Sequence, residues 1–217
     1  MNHYRTLSIA TILVISLNII QLAAQDSYSI LQNMSHITNT QSAISGNFNL
    51  IYNDGGIANE QDGTFTIQNN YIKVENSDVL LFSDGEDRWI CNKLNEEIVV
   101  AKEDTAATSI ISNPWLIFQS LENNAAYSYP KKYKTEIING IRCGVIVLKE
   151  KKSKDSAYTI YIDLATKLPI KADYVINKNT TAMSISFDSY NFESLKELTF
   201  FVPSSEILDS YYITDLR

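Results

Sequence analysis

Residues 79–92 read VLLFSDGEDRWICN. Val79, Leu80, Leu81 and Phe82 form a short apolar run of strand-favouring residues. Ser83-Asp84-Gly85 interrupts that run with turn chemistry, because an Asp side chain bonds its own backbone and Gly accepts a positive φ. Arg88-Trp89-Ile90-Cys91 then opens a second strand. The stretch is a β-hairpin, and a hairpin this apolar must have a covered face. The rest of the chain has to supply further strands and something to lie on them.

The neighbouring sequence supplies the strands. From Ser42 the apolar period is two: Ile44, Gly46, Phe48, Leu50 and Tyr52 alternate with Ser45, Asn47 and Asn49, which predicts a half-buried strand. Asn53-Asp54-Gly55-Gly56 is a turn. Residues 63–68 continue with Phe65 and Ile67 on one face, Asn69-Asn70 turns the chain, and residues 71–75 return with Ile72 and Val74 inward. Beyond the opening hairpin, further strands are predicted over residues 97–101, 127–137, 141–149, 157–164, 170–176 and 181–192. Leu198, Phe200 and Val202 read as a last strand before Pro203. The tail, residues 207–217, is partly apolar. This is a meander of short antiparallel strands with one apolar and one polar face.

Two segments carry helical patterns. In residues 26–40, Asp26 or Ser27 caps a helix whose Ile30, Leu31, Met34 and Ile37 recur at helical spacing. In residues 107–124, Asn113-Pro114 marks a start with Pro at the first helical position. Trp115, Leu116, Ile117, Phe118 and Leu121 follow, more apolar surface than one narrow stripe. That pattern fits an ordinary core helix, and it also fits a lid whose apolar face meets a ligand.

Residues 1–24 have the form of a signal peptide: Arg5, an apolar run over residues 7–22, and Leu22-Ala23-Ala24 with cleavage near Ala24. Residues 25–217 then form a single domain. That mature part carries 17 basic and 25 acidic side chains, a net charge of −8. Such a surface argues against nucleic acid and against anionic lipid headgroups. Cys91 and Cys143 each lie in a predicted strand. An oxidising compartment permits a disulfide, and buried free thiols are the alternative. His36 is the only His of the mature part, the cysteines lack metal-ligand spacing, and there is no Gly-rich phosphate loop or nucleophile elbow. A binding protein without metal or cofactor, rather than an enzyme, is expected.

Several short motifs follow one another in a telling order. They are Gly46-Asn47-Phe48, Asp62-Gly63-Thr64-Phe65, Ser83-Asp84-Gly85-Glu86-Asp87-Arg88-Trp89, Asn113-Pro114 followed by Tyr127-Ser128-Tyr129, and Ile160-Tyr161-Ile162-Asp163 through Leu168-Pro169-Ile170. Together they resemble the outer-membrane lipoprotein carrier (LolA-like) family, and the ending Ile213-Thr214-Asp215-Leu216-Arg217 resembles its Bacteroidetes-type members.

The resemblance implies a mainly β fold with some α: an incomplete, half-open antiparallel β-barrel of about 10–11 strands covered by an α-helical lid. It implies a monomeric periplasmic carrier that holds the acyl chains of lipoproteins in an apolar cavity. Such a carrier shuttles them from an inner-membrane lipoprotein-releasing ABC transporter to an outer-membrane acceptor. Each buried CH₂ contributes about 0.8 kcal/mol, so acyl chains need shielding to cross water. The residues expected to line the cavity are Phe48, Leu50, Phe65, Ile67, Trp89, Trp115, Phe118, Leu121 and Phe187. One departure stands out: better-known carriers place an Arg-Pro after the second strand, whose Arg tethers the lid, and here the chain reads Gln68-Asn69-Asn70. A periplasmic envelope-stress regulator (RseB-like) shares the half-barrel and is the alternative reading.

Overall fold

The computed structural model describes residues 26–38, 42–54, 56–103, 114–119, 121–151, 156–176 and 180–217. The expected leader, and the first part of the expected covering helix, lie outside the described residues. Helix α1, Ser27–Thr38, buries Ile30, Leu31 and Met34. Asp26 caps it, its carboxylate accepting from the Ser29 amide at 3.0 Å and from the Ser29 hydroxyl at 2.6 Å.

The strands follow in chain order: β1 Ala43–Asp54, β2 Ile57–Gln68, β3 Tyr71–Asn76, β4 Val79–Ser83, β5 Asp87–Asn92, β6 Glu97–Lys102, β7 Tyr127–Ser128, β8 Lys134–Ile138, β9 Ile141–Glu150, β10 Ala157–Asp163, β11 Pro169–Ile176, β12 Thr180–Glu193 and β13 Tyr212–Asp215. Between β12 and β13 lies a short helix α2, Ser205–Ser210. The described strands form one open, curved sheet in the order β13-β6-β5-β4-β3-β2-β1-β12-β11-β10-β9-β7, with β8 also paired to β9. Neighbours are antiparallel except β13, which joins β6 in parallel. Thirteen strands exceed the expected 10–11 because short β7 and β8 replace one long predicted strand and β13 adds an edge.

The turn chemistry holds as expected. Asp84 accepts from the Glu86 and Asp87 amides at 2.9 and 2.8 Å, and Gly85 takes a φ of +86°. Asn69 and Asn139 likewise adopt positive φ at the β2–β3 and β8–β9 turns.

Each face of the sheet has its own core. The larger joins α1, the Trp115–Leu121 region and residues of most strands. The smaller gathers Phe82, Cys91, Ile98 and Val100 under Ile207, Leu208 and Tyr211. Cys91 and Cys143 are both buried free thiols.

Two expectations are corrected. The predicted strand at 198–202 is a 3₁₀ turn, Leu198–Phe201. Its buried anchor is Phe201, stacked 5.6 Å from Tyr71, while Leu198 is exposed and the Lys73 ammonium lies 4.4 Å from the Phe200 ring. The apolar alternation there does not correspond to one buried face. The described part of the expected covering helix consists of two 3₁₀ turns, Pro114–Phe118 and Leu121–Asn123. Trp115, Leu116, Ile117 and Phe118 are all buried, so no α-helical stripe separates a core side from a solvent side. The partly apolar tail supplies α2 and a parallel edge strand.

Candidate functional site

The first two strands set the geometry. Gly46 lies opposite Phe65, and Phe48 lies opposite Gly63. A Cβ on Gly46 would meet the Phe65 ring and the Ser189 carbonyl; one on Gly63 would meet the Phe48 ring and the Glu75 carbonyl. Each aromatic ring therefore lies across the glycine of the neighbouring strand, which is the physical content of the Gly-x-Phe motifs. On the other side of β1, Phe48 pairs with Phe187 of β12. Three adjacent strands thus present Phe65, Phe48 and Phe187 on one face.

The segment carrying Trp115 and Phe118 closes down on these rings. Trp115 meets Phe48 edge-on at 5.0 Å and Phe65 at 5.5 Å. Phe118 lies 5.6 Å from Phe65 and 5.2 Å, edge-on, from Phe187. Tilted and edge-to-face pairs at such spacings add roughly 0.5–1.5 kcal/mol each beyond area burial. Tyr190 completes the cluster, 5.8 Å from Phe65 and 6.0 Å from Phe187. Its hydroxyl donates to the Pro169 carbonyl, and burial pushes its phenol well above the ordinary value.

Sequence reasoning missed Tyr190, because alternation from Phe187 selects 189 and 191. The β1–β12 register slips between Asn47 and Phe48, so Ser189 pairs with Asn47 and Tyr190 with Gly46. That bulge turns Tyr190 inward.

Five of the nine expected lining residues, Phe48, Phe65, Trp115, Phe118 and Phe187, meet in this cluster. Ile67 and Leu121 are buried in the same core, and Leu50 is half-buried at its edge. Trp89 stands apart. It pairs with Phe82 across β4 and β5 and packs in the smaller core beneath α2, on the opposite face.

Among the described residues, two hydroxyls tie the covering segment to its neighbours. The Thr38 hydroxyl, at the end of α1, lies 2.7 Å from the Phe118 carbonyl and 2.8 Å from the Ser35 carbonyl, so one proton serves both. The Tyr129 hydroxyl donates to the Glu122 carbonyl at 2.9 Å. Gln68, at the position nearest the missing Arg, does something else. Its buried amide accepts from Lys196 N at 2.8 Å and donates to Lys196 O at 3.2 Å, clamping the chain beyond β12.

Among the described residues, no three His, Cys, Asp or Glu side chains are grouped to hold a metal ion. An open surface hollow of about 360 Å³, lined by Tyr71, Asp84, Glu86, Leu198, Thr199 and Val202, lies apart from the aromatic cluster.

No family model and no curated protein sequence matches this chain. Solved structures do. An uncharacterized conserved protein from Thermus thermophilus shares 8% identity over 85% of this chain and 96% of its own, with a TM-score of 0.57. A LolA superfamily protein from Nitrosomonas europaea shares 10% identity over 82% of this chain and 98% of its own, with a TM-score of 0.46. The Pseudomonas aeruginosa MucA/MucB complex matches at 13% identity over 82% of this chain and 62% of that one, with a TM-score of 0.40. At these identities the likeness concerns the fold alone.

Proposed function

We propose that this chain is a periplasmic carrier that shields the acyl chains of lipoproteins between its curved sheet and the segment around Trp115. It would take them from an inner-membrane lipoprotein-releasing ABC transporter and yield them to an outer-membrane acceptor. The observation that carries this reading is the aromatic cluster. Rings from three adjacent strands meet Trp115 and Phe118 on a covering segment built of short 3₁₀ turns, tied to α1 through Thr38. In the closed state these rings fill the hollow themselves. Lifting the segment would expose a concave apolar surface, and acyl chains would replace the lost ring contacts at about 0.8 kcal/mol per CH₂. The site works by burial alone, which is why it is read as a binding site and not as a catalytic one. Loading is thus coupled to displacement of the cover.

The test is mass spectrometry of what copurifies with the exported protein. Acylated lipoproteins are expected, and they should be lost on Phe118→Glu, which places a charge among the rings. Recovery of a membrane-bound anti-sigma factor without acylated cargo would favour the regulatory alternative. Protein free of lipid that also takes up no acylated peptide would refute both.

A further inference from the structure

The face that bears the aromatic cluster extends well beyond it. Paired residues cross the strands from Phe65 through Val74, Leu81 and Ile90 to Val99. Leu81 packs with the larger core while Leu80 and Phe82 pack with the smaller, which fixes this row on the face of the larger core. The next row runs Ile67, Ile72, Ser83, Arg88 and Ala101. It begins apolar and turns polar at β4. With strands about 4.8 Å apart, Arg88 stands three strands, or roughly 14 Å, from Ile67.

Arg88 and Glu103 are both withdrawn from water, their side chains 15% and 3% exposed. Arg88 Nη1 lies 3.9 Å from Glu103 Oε1, too far for a hydrogen bond. Glu103 Oε2 accepts from the Ser83 hydroxyl at 3.1 Å. The Nη1 and Nε atoms of Arg88 are buried and meet no acceptor among the described residues. Buried guanidinium donors without acceptors are costly, and a native fold that keeps them calls for a partner. The neighbouring carboxylate offsets the positive charge. What remains is donor capacity with little net charge, suited to a neutral oxygen and hostile to a phosphate or a free carboxylate.

We propose that Arg88 binds an ester carbonyl oxygen at the head of a long-chain acyl ligand whose chains lie along the row from Phe65 to Val99. This rests on the acyl-chain reading of the hollow and adds to it the chemical group that is recognised.

The test uses the mature protein and three probes in calorimetric titration. They are a diacylglyceryl-cysteine peptide with ester-linked palmitoyl chains, its ether-linked analogue without those carbonyls, and palmitate. The unaltered protein should bind the ester peptide about tenfold more tightly than the ether peptide, the worth of one hydrogen bond from a charged donor. The double variant Arg88→Met, Glu103→Gln, which removes both charges together, should bring that ratio close to one. Glu103→Gln alone uncovers the positive charge and should tighten palmitate binding several-fold. Equal binding of the two peptides by the unaltered protein, or a preference that survives the double variant, overturns the assignment. Should the double variant fail to fold, unchanged palmitate affinity in Glu103→Gln overturns it instead. Binding of neither peptide is a different result, since it removes the acyl-chain reading itself.

Discussion

Replacing Thr38 with Val tests whether the Trp115 segment moves as a unit apart from the core. The two side chains have nearly the same shape, so packing at this site, 1% exposed, is kept. What is lost is the proton shared between the Phe118 and Ser35 carbonyls at 2.7 and 2.8 Å. The Phe118 carbonyl is then buried without its donor, a cost of roughly 1–3 kcal/mol. If the segment can lift away, that cost applies to the closed state alone, because the lifted carbonyl is hydrated. A loss of about 1.4 kcal/mol raises the open fraction about tenfold. The assay is native-state hydrogen exchange. The amides of Gln119 and Asn124, which donate within this segment to Leu116 O and Leu121 O, should exchange about tenfold faster. The buried β9 and β10 positions Ile146 and Ile160 should keep their rates. Tyr129→Phe, which removes the tie to the Glu122 carbonyl, should act in the same direction. Uniform acceleration of cover and core amides would refute the reasoning, since the segment would then be an inseparable part of one cooperative core.

Gln68→Ala removes both hydrogen bonds to the Lys196 backbone and leaves its amide and carbonyl unpaired, so urea denaturation should show a loss of about 2 kcal/mol without faster exchange at Gln119. Burial pushes the Cys91 thiol up to about 11 and raises that of Cys143, so neither should react with a thiol reagent at about pH 8 until denaturant is added, and no disulfide should appear on non-reducing gels. The C-terminal strand is latched by charge: Lys102 and then Arg217 hold the Asp87 carboxyl below its ordinary value, and Arg217 holds Asp215 at about 2. Both carboxylates are depressed in the fold, so their contribution is full above the ordinary carboxylate range near pH 4 and fades as pH falls toward 2. The Leu216 amide, which donates to Val100 O, should show added opening between about pH 4 and pH 2, and deleting Arg217 should weaken that dependence by removing the Asp215 share, while the Lys102–Asp87 pair keeps the rest.

The sequence by itself determined the hairpins. Asn69, Gly85 and the Asn139-Gly140 pair sit where the backbone takes positive φ, and Asx or Gly chemistry there is local. It also determined the two-sided character of the strands and nearly all of the aromatic residues that meet beneath Trp115. The first half of β2 was not legible, since residues 57–62 carry no apolar alternation. Polar pairs hold that part instead, with the Asn49 amide donating to Glu60 and Asp62 at 2.8 and 2.9 Å. Trp89 shows the deeper limit: period two reveals that a strand has two faces, and each face of β5 carries an apolar residue, Ile90 on one and Trp89 with Cys91 on the other. Only the docking of α2 decided that Trp89 belongs to the smaller core. Tyr190 depended on a one-residue slip between β1 and β12, and the edge strand β13 on a parallel pairing with a partner more than a hundred residues away. Turn and alternation are written in neighbouring residues, whereas face, register and edge are set by which distant surfaces come together, so only the assembled fold could fix them.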